Sequence, residues 1–193
     1  MSEYILLSSS VTIAKYRDFE AGKNREAIAN FVLERFSERY ITPLRGSKKH
    51  GFCIMAICCL MIEALESFWQ GWPDTRNQSR RAFQSFFNRC VNLGSPLGVF
   101  STAADDFYDS IRCGILHQAE TTGGWRILRK GPLYDRGTRT INATRFLKEL
   151  EKVLISYCDT LRNSDWESSV WQNFRDKMSA VIKNCNCSVE NLA

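Results

Sequence analysis

The stretch "FCIMAICCLMI", residues 52–62, is an unbroken run of apolar side chains in a chain of 193 residues. A helix that is apolar on nearly all sides is buried in the middle of a protein. The run covers about a dozen residues before Glu63 interrupts it, whereas a helix that crosses a membrane needs about 20. We therefore expect residues 51–70 to form a central buried helix, and we expect no membrane partner.

The segments on both sides of this run have the apolar periodicity of amphipathic helices. Phe83, Phe86, Phe87 and Cys90 follow the i, i+3, i+4, i+7 spacing of a helix at residues 76–92. Similar spacing predicts a helix at 24–41 and another that begins at Ser101 or Thr102, both of which are capable N-caps. Two further helices are predicted after Asn142, a good N-cap, and after Ser164, which has capping-box spacing to Glu167.

These elements predict an all-α fold, an antiparallel bundle of five or six helices in one domain that spans residues 1–193. Residues 1–22 are expected to form an N-terminal arm or a short strand, and residues 164–183 an additional C-terminal helix. The stretch "WRILRKGPLYDRGTRTI", residues 125–141, has two extended pieces around "KGP". It predicts a small β-hairpin inserted after the helix that ends near His117.

The composition favours a reduced, cytoplasmic protein. The eight cysteines come without a signal peptide, and Cys53, Cys58 and Cys59 lie in the apolar run, where a free thiol behaves as a small buried hydrophobe. With two histidines and no CxxC pair, the chain is poorly supplied for zinc, so we expect no metal and no cofactor. The net charge of +5 is a mild bias that is compatible with a polyanionic partner.

One histidine lies in "YDSIRCGILHQAETTGGW", residues 108–125, five positions after Arg112. Arg45 and His50 have the same spacing, but they lie in a loop of glycine, serine and lysine that does not fix their geometry. Arg112 and His117 follow a strongly amphipathic helix whose core contacts hold their backbone. On a straight helix the two side chains are about 140° apart, so we expect Gly114 and "TTGG" to loosen the last turn, or a second copy to complete the site.

"IRCGILHQAET" resembles the hallmark of the ribonuclease members of the HEPN domains (higher eukaryotes and prokaryotes nucleotide-binding). That hallmark is an arginine, four to six intervening residues and a histidine on a late helix of a helical bundle. The resemblance covers residues 24–162 and implies that Arg112 and His117 are catalytic. Cys113 replaces the asparagine or other polar residue that often follows the arginine, and Ala119 stands where some members have a tyrosine that a partner enzyme modifies.

The resemblance implies RNA cleavage without metal in a homodimer, in a toxin or defence effector with a possible antitoxin or regulatory partner. Physical chemistry supports the two roles independently: a histidine with a pKa near 6.5 can move the protons, and a guanidinium can hold the phosphorane. Asp109 lies one helical turn before Arg112, at a spacing that allows a charge pair, which would either steady the guanidinium or be an ordinary surface salt bridge. The further supporting or RNA-binding candidates are Cys113, Gln118, Trp125, Arg126, Arg129 and Lys130.

Two other functions remain open. A helical module of the same fold could bind or dimerise without cleaving anything, and a regulatory nucleotide site without turnover would suit the family's name. No GxxxxGK loop occurs, so no motif supports hydrolysis of a nucleoside triphosphate.

Overall fold

The computed structural model describes residues 2–45 and 50–190, so residues 46–49 of the predicted basic loop lie outside the described residues. The described chain is largely helical with a small three-stranded sheet, which confirms the expected class at that level. Its residues form two compact units. The first takes residues from Met1–Thr42, Ser67–Asp74 and Leu154–Ala193, and the second from Pro43–Glu66 and Thr75–Val153.

Three helices begin and end within the first unit. They are α1 (Ile13–Ala21), α2 (Arg25–Phe36), which continues into a wider π-helical turn at Ser37–Ile41, and α8 (Ser169–Glu190). Asn24 caps α2 as its side chain accepts from the amide of Ala27 at 3.0 Å. The core of this unit is aromatic and contains Tyr16, Phe31, Phe36, Phe68, Trp171 and Phe174.

Two predictions for the first unit are wrong. The N-terminal segment contains a helix, α1, because Thr12 caps it by accepting from the amide of Lys15 at 3.2 Å. The expected capping box at Ser164 and Glu167 does not form. Instead the carboxylate of Asp165 accepts from the amide of Glu167 at 2.9 Å, and α8 begins later, at Ser169.

The segment before α1 is held by two carboxylates, Glu34 on α2 and Glu38 in the π-helical turn that follows it. Oε1 of Glu34 accepts from the hydroxyl of Ser9 and from the amide of Ser10, both at 2.8 Å, and Oε2 accepts from the Ser10 hydroxyl at 2.6 Å. Glu38, one turn further on, accepts from the amide of Ser9 at 3.1 Å. These bonds satisfy polar groups that have no partner in a sheet or helix.

The second unit contains α4 (Ser79–Asn92) and two helices that contribute residues to both units, α3 (Gly51–Gln70) and α7 (Ala143–Asn163). The predicted apolar stripe of α4 is fully buried, and the predicted cap of α7 is confirmed because Oδ1 of Asn142 accepts from the amide of Arg145 at 3.1 Å. Phe87, Phe107 and Phe146 form the centre of the core. The ring centroid of Phe107 lies 5.0 Å from that of Phe87 and 5.7 Å from that of Phe146.

The chain enters the next helix differently from the prediction. Ser101 and Thr102 do not cap it, because they lie inside a 3-10 helix, Pro96–Ala103, that precedes the α-helical turns. The cap of this 3-10 helix is Ser95, whose hydroxyl accepts from the amide of Leu97 at 3.3 Å. The α-helical part then begins at Ala104 with no side-chain cap.

The small sheet comprises β1 (Arg126–Leu128), β2 (Tyr134–Asp135) and β3 (Thr140–Asn142) in the order β1-β3-β2. The hairpin predicted around "KGP" is wrong: β1 pairs in parallel with β3, and the hairpin is formed by β2 and β3. The tight turn lies between β2 and β3, because the carboxylate of Asp135 stabilises it there by accepting from the amides of Gly137 at 2.9 Å and Thr138 at 3.3 Å.

Helix α3 is only partly the central helix that was predicted. Eight of its apolar side chains are buried, but Cys53 is exposed, which corrects the expectation of a buried thiol, and Leu60 is 51% exposed. By length and composition alone this helix could cross a membrane, although 61% of its most apolar window is buried in the protein. Its Glu63 and Glu66 are both buried and paired with arginines, as in the core helix of a folded domain.

Candidate functional site

The motif lies on one helical rod made of three consecutive parts. These are α5 (Ala104–Phe107), a π-helical segment (Tyr108–Cys113) and α6 (Gly114–Gln118). Phe107 and Ile111 are completely buried and hold the rod against the core of the second unit. Arg112 lies on the π-helical segment, a rare geometry that is often found at functional sites. His117 lies in the last turn of α6.

Arg112 is held by a carboxylate from the central helix. Its Nε donates to Oε1 of Glu63 at 2.9 Å, and the two side chains are only 19% and 10% exposed. Partial burial lowers the pKa of Arg112, but the hydrogen bond and the charge of Glu63 outweigh it, so the pKa is raised. Among the described residues no oxygen accepts from Nη1 or Nη2. The side chain of Arg112 also has a hydrogen bond with Cys113, and its guanidinium lies 5.5 Å from the centre of the Tyr108 ring.

Glu63 is itself fixed by two hydroxyl groups. Its Oε2 accepts from Ser79 at 2.7 Å and from Thr75 at 3.1 Å. From the sequence, Glu63 was predicted only to end the apolar run, and its role as the partner of Arg112 was not predicted. The available signal was the burial itself, because a carboxylate in the middle of a buried helix needs a positively charged or hydrogen-bonding partner.

His117 is exposed, and within the described part of the chain its imidazole has no hydrogen bond or ion pair, with Arg112 or with any other residue. The loosening expected at Gly114 is wrong, because Gly114 has φ −56° and ψ −53° and begins a regular α-helical turn. The helix widens at Tyr108–Cys113 instead, the π-helical segment that contains Arg112.

Gly114 allows the loop after the helix to pack closely against the helix. A Cβ at this position would lie 2.6 Å from the carbonyl oxygen of Glu120, in the loop that returns along the helix. The rod ends at Ala119, which adopts the left-handed conformation with φ 55°. The loop is then anchored because the amide of Thr122 donates to the carbonyl of Ser110 at 3.0 Å. Glycine is therefore required for close packing at this position.

A small pocket of about 90 Å³ opens beside Arg112. Apart from the guanidinium it is lined by apolar or thiol side chains, which are Ala56, Cys59, Leu60, Ile115 and Leu116. Leu60 and Leu116 are 51% and 59% exposed and form its rim. The second unit therefore presents an apolar surface directly beside a half-buried cation.

Asp109 does not steady Arg112, which corrects the prediction. Its carboxylate accepts from both terminal nitrogens of Arg80, in one case at 2.9 Å, whereas Glu63 forms the ion pair with Arg112.

Cys113 is half-buried. Burial raises the pKa of the Tyr108 hydroxyl, and a side-chain hydrogen bond with Cys113 raises it further. Gln118 is exposed in the last turn of α6.

Trp125 is not available for stacking on a base. It is 3% exposed and stacks on Tyr134 with ring centroids 5.3 Å apart, and its edge meets Phe107 at 6.0 Å. Its Nε1 has no hydrogen-bond partner among the described residues. Trp125 is thus a core residue that fixes the start of β1.

The three basic candidates lie together at the sheet. Arg126 and Lys130 are exposed, whereas Arg129 is half-buried and its Nε donates to the hydroxyl of Thr144 at 3.0 Å. Of the other pair with this spacing, Arg45 binds the carboxylate of Glu151 at 2.7 Å, and His50 is exposed just before α3. In the ranges 2–45 and 50–190, no three His, Cys, Asp or Glu side chains gather as metal ligands would.

No protein-family model, no curated protein and no solved structure matches this chain. Its function therefore has to be argued from the geometry around Arg112 and His117.

Proposed function

We propose that this chain is a metal-independent endoribonuclease of the HEPN kind, built on an antiparallel helical bundle and active as a homodimer in the cytoplasm. In this proposal His117 moves the protons and Arg112 binds the phosphate. RNA is the substrate because only a ribose supplies the attacking 2′-hydroxyl within the chain that is cut. A toxin or defence role, restrained by an antitoxin or other regulatory protein, fits such an activity.

One observation carries the proposal: a largely buried carboxylate, Glu63, fixes the guanidinium of Arg112 through Nε. The bond to Glu63 orients the guanidinium plane without using its two terminal nitrogens. A guanidinium matches phosphate oxygens with paired donors, and a preorganised cation stabilises charge that develops in the transition state. The nearby imidazole of His117 is exposed and not engaged by any described side chain, as a group that must reach substrate should be.

The chemistry balances without a further reactant. An imidazole takes the proton of the 2′-hydroxyl while the 2′-oxygen attacks phosphorus, and Arg112 neutralises the charge on the phosphorane oxygens. The bond from phosphorus to the 5′-oxygen then breaks, and an imidazolium supplies the proton to that oxygen. The products are a 2′,3′-cyclic phosphate and a 5′-hydroxyl end.

The proposal includes a second copy, because within one copy no hydrogen bond joins the described side chains of Arg112 and His117. Leu60 and Leu116 form an exposed apolar rim beside Arg112, and burying such side chains between two copies is favourable. Leu116→Glu should therefore yield a monomer that does not cleave, whereas His117→Ala should remain a dimer that does not cleave. Light scattering on the eluting protein measures the mass of both.

The direct test is cleavage of end-labelled RNA in EDTA by the wild type, Arg112→Ala and His117→Ala. We expect cleavage only by the wild type, and none when the 2′-hydroxyl is methylated. The matched control is His50→Ala, which removes the other histidine and should keep wild-type activity. Equal loss in the His50 and His117 variants would show that the wrong pair had been chosen.

A second candidate function is a non-catalytic binding or dimerisation module. The observation that favours it is the same ion pair, because a half-buried arginine held by a buried glutamate also occurs as a purely structural contact. A wild-type protein that dimerises through Leu116 but cleaves no RNA would select this alternative.

A further inference from the structure

The positive charge of this chain is concentrated in residues 125–148. This stretch contains one acidic residue, Asp135, and seven basic residues, which are Arg126, Arg129, Lys130, Arg136, Arg139, Arg145 and Lys148. Its formal charge of +6 exceeds the +5 of the whole chain. The carboxylate of Asp135 is turned inward to its own turn, where it accepts from the amides of Gly137 and Thr138.

Elsewhere in the second unit, the arginines and lysines that the structure describes have partners. Arg80 binds Asp109, Arg89 binds Glu66, and Lys152 binds Glu149. Within 125–148, Arg139 binds Asp106 at 3.2 Å and Arg129 donates to Thr144. Arg126, Lys130, Arg145 and Lys148 are exposed, and in residues 50–153 of the described chain these are the cationic side chains without any hydrogen bond or ion pair.

The fold brings these four side chains to one region around Asn142. The amide of Asn142 donates to Leu133 at 3.0 Å and its Nδ2 donates to Gly131 at 2.9 Å, which holds the loop of Lys130. Its Oδ1 caps the helix on which Arg145 and Lys148, three residues apart, share a face.

The strand β1 completes this region. Leu128 pairs with Asn142 in the parallel register, and Arg126 lies two residues earlier on the same strand. We name the exposed side chains of Arg126, Lys130, Arg145 and Lys148 the basic surface. It starts directly after Trp125, at the end of the loop that follows His117.

We propose that the basic surface binds the phosphate backbone of single-stranded RNA without reading its sequence; this rests on the proposed ribonuclease function and names how that site receives its substrate. Unpaired, exposed lysines and arginines bind phosphates by releasing counterions. Contacts with backbone phosphates carry no sequence information, and Trp125, which is packed against Tyr134 and Phe107, cannot stack on a base. A single strand is the substrate because its 2′-hydroxyl can align behind the leaving 5′-oxygen, which a paired strand prevents.

The test uses full-length protein with His117→Ala, so that bound RNA is not cut. In this background Arg126, Lys130, Arg145 and Lys148 are all changed to Gln, and binding of labelled single-stranded RNA is followed by fluorescence anisotropy over a series of salt concentrations. We expect Kd to rise at least about tenfold and the slope of log Kd against log salt to fall by about 2 to 3, the value for three or four lost phosphate contacts. RNAs of unrelated sequence should respond alike.

The matched control changes four exposed cations of the first unit, Lys15, Lys23, Arg25 and Lys183, to Gln and removes the same charge. It should bind nearly as the parent does. Equal weakening in both variants, preference for anionic vesicles over RNA, or strong dependence on RNA sequence would each overturn the proposal. If the wild type cleaves RNA but the basic-surface variant binds RNA normally, only the proposal for the basic surface is wrong. If the wild type does not cleave RNA but the basic-surface variant loses binding, only the proposed ribonuclease function is wrong.

Discussion

Oε1 of Glu63, on the central helix, accepts a hydrogen bond of 2.9 Å from Nε of Arg112, on the motif helix. Glu63→Gln keeps the shape of the side chain but removes the negative charge that pairs with the Arg112 guanidinium. We expect the free energy of unfolding to fall by about 2 kcal/mol, because a largely desolvated charge-assisted hydrogen bond is weakened. Urea denaturation measures the change.

The matched control is Glu151→Gln, which weakens the ion pair with an Arg45 side chain that is 65% exposed. It should cost less than about 1 kcal/mol, since solvent screens an exposed pair. Equal costs for the two variants would contradict the importance assigned to the bond between Glu63 and Arg112. In the cleavage assay Glu63→Gln should lower kcat more than it raises KM, because the guanidinium loses its orientation in the transition state.

Gly114→Ala tests whether the motif helix is loosened or closely packed at this position. Alanine has the higher helix propensity by about 1 kcal/mol, yet its Cβ would lie 2.6 Å from the carbonyl oxygen of Glu120. We expect a net loss of about 1 to 3 kcal/mol in the free energy of unfolding, the usual cost of overpacking. Gly137→Ala, whose Cβ meets an ordinary contact at 3.4 Å, should change stability by less than about 0.5 kcal/mol. A stabilising Gly114→Ala would contradict the close packing of Gly114 against the carbonyl of Glu120.

Glu34 makes the attachment of the N-terminal segment dependent on pH. Its partial burial raises the pKa, but hydrogen bonds from Ser10 and Ser9 outweigh burial, so the pKa lies below its ordinary value of 4.5. A carboxylate with a lowered folded pKa contributes stability that is complete above the unfolded pKa and is lost as pH falls through the folded pKa. Glu34→Gln should therefore cost about 1 kcal/mol at pH 7, and the gap to wild type should narrow below about pH 4.5.

The exposed Glu167→Gln serves as the control for this pH series, since its pair with Lys23 is largely solvated. Its stability should follow that of the wild type at every pH. A gap for Glu34→Gln that stays constant down to pH 2 would show that the carboxylate charge does not hold the segment.

The cysteines should react with a thiol reagent in an order set by burial. Cys53 is exposed and should be modified first in the folded protein, whereas Cys58, Cys59, Cys90 and Cys158 are buried. Burial raises the pKa of Cys90 and of Cys158 to about 12, which leaves almost no reactive thiolate at neutral pH. Mass spectrometry of alkylated peptides measures the order, and modification of Cys58 as fast as Cys53 would contradict the burial of α3.

The helices were predictable because their signals are local. The spacing of Phe83, Phe86, Phe87 and Cys90 defines a buried face by itself, and Asn142 caps α7 through a bond to an amide three residues away. The small sheet was only half predictable. Two turns competed for the hairpin, and the choice depended on the carboxylate of Asp135 and on the distant pairing of β1 with β3.

The sequence by itself determined the helical class, the length of the central helix and the position of Arg112 and His117 on one rod, since these depend on periodicity and on residues a few positions apart. Only the tertiary structure decided which acid binds Arg112, why Gly114 must be glycine and that Trp125 is buried. Those outcomes depend on residues such as Glu63, 49 positions away, and no local pattern encodes which distant side chain will share a buried surface.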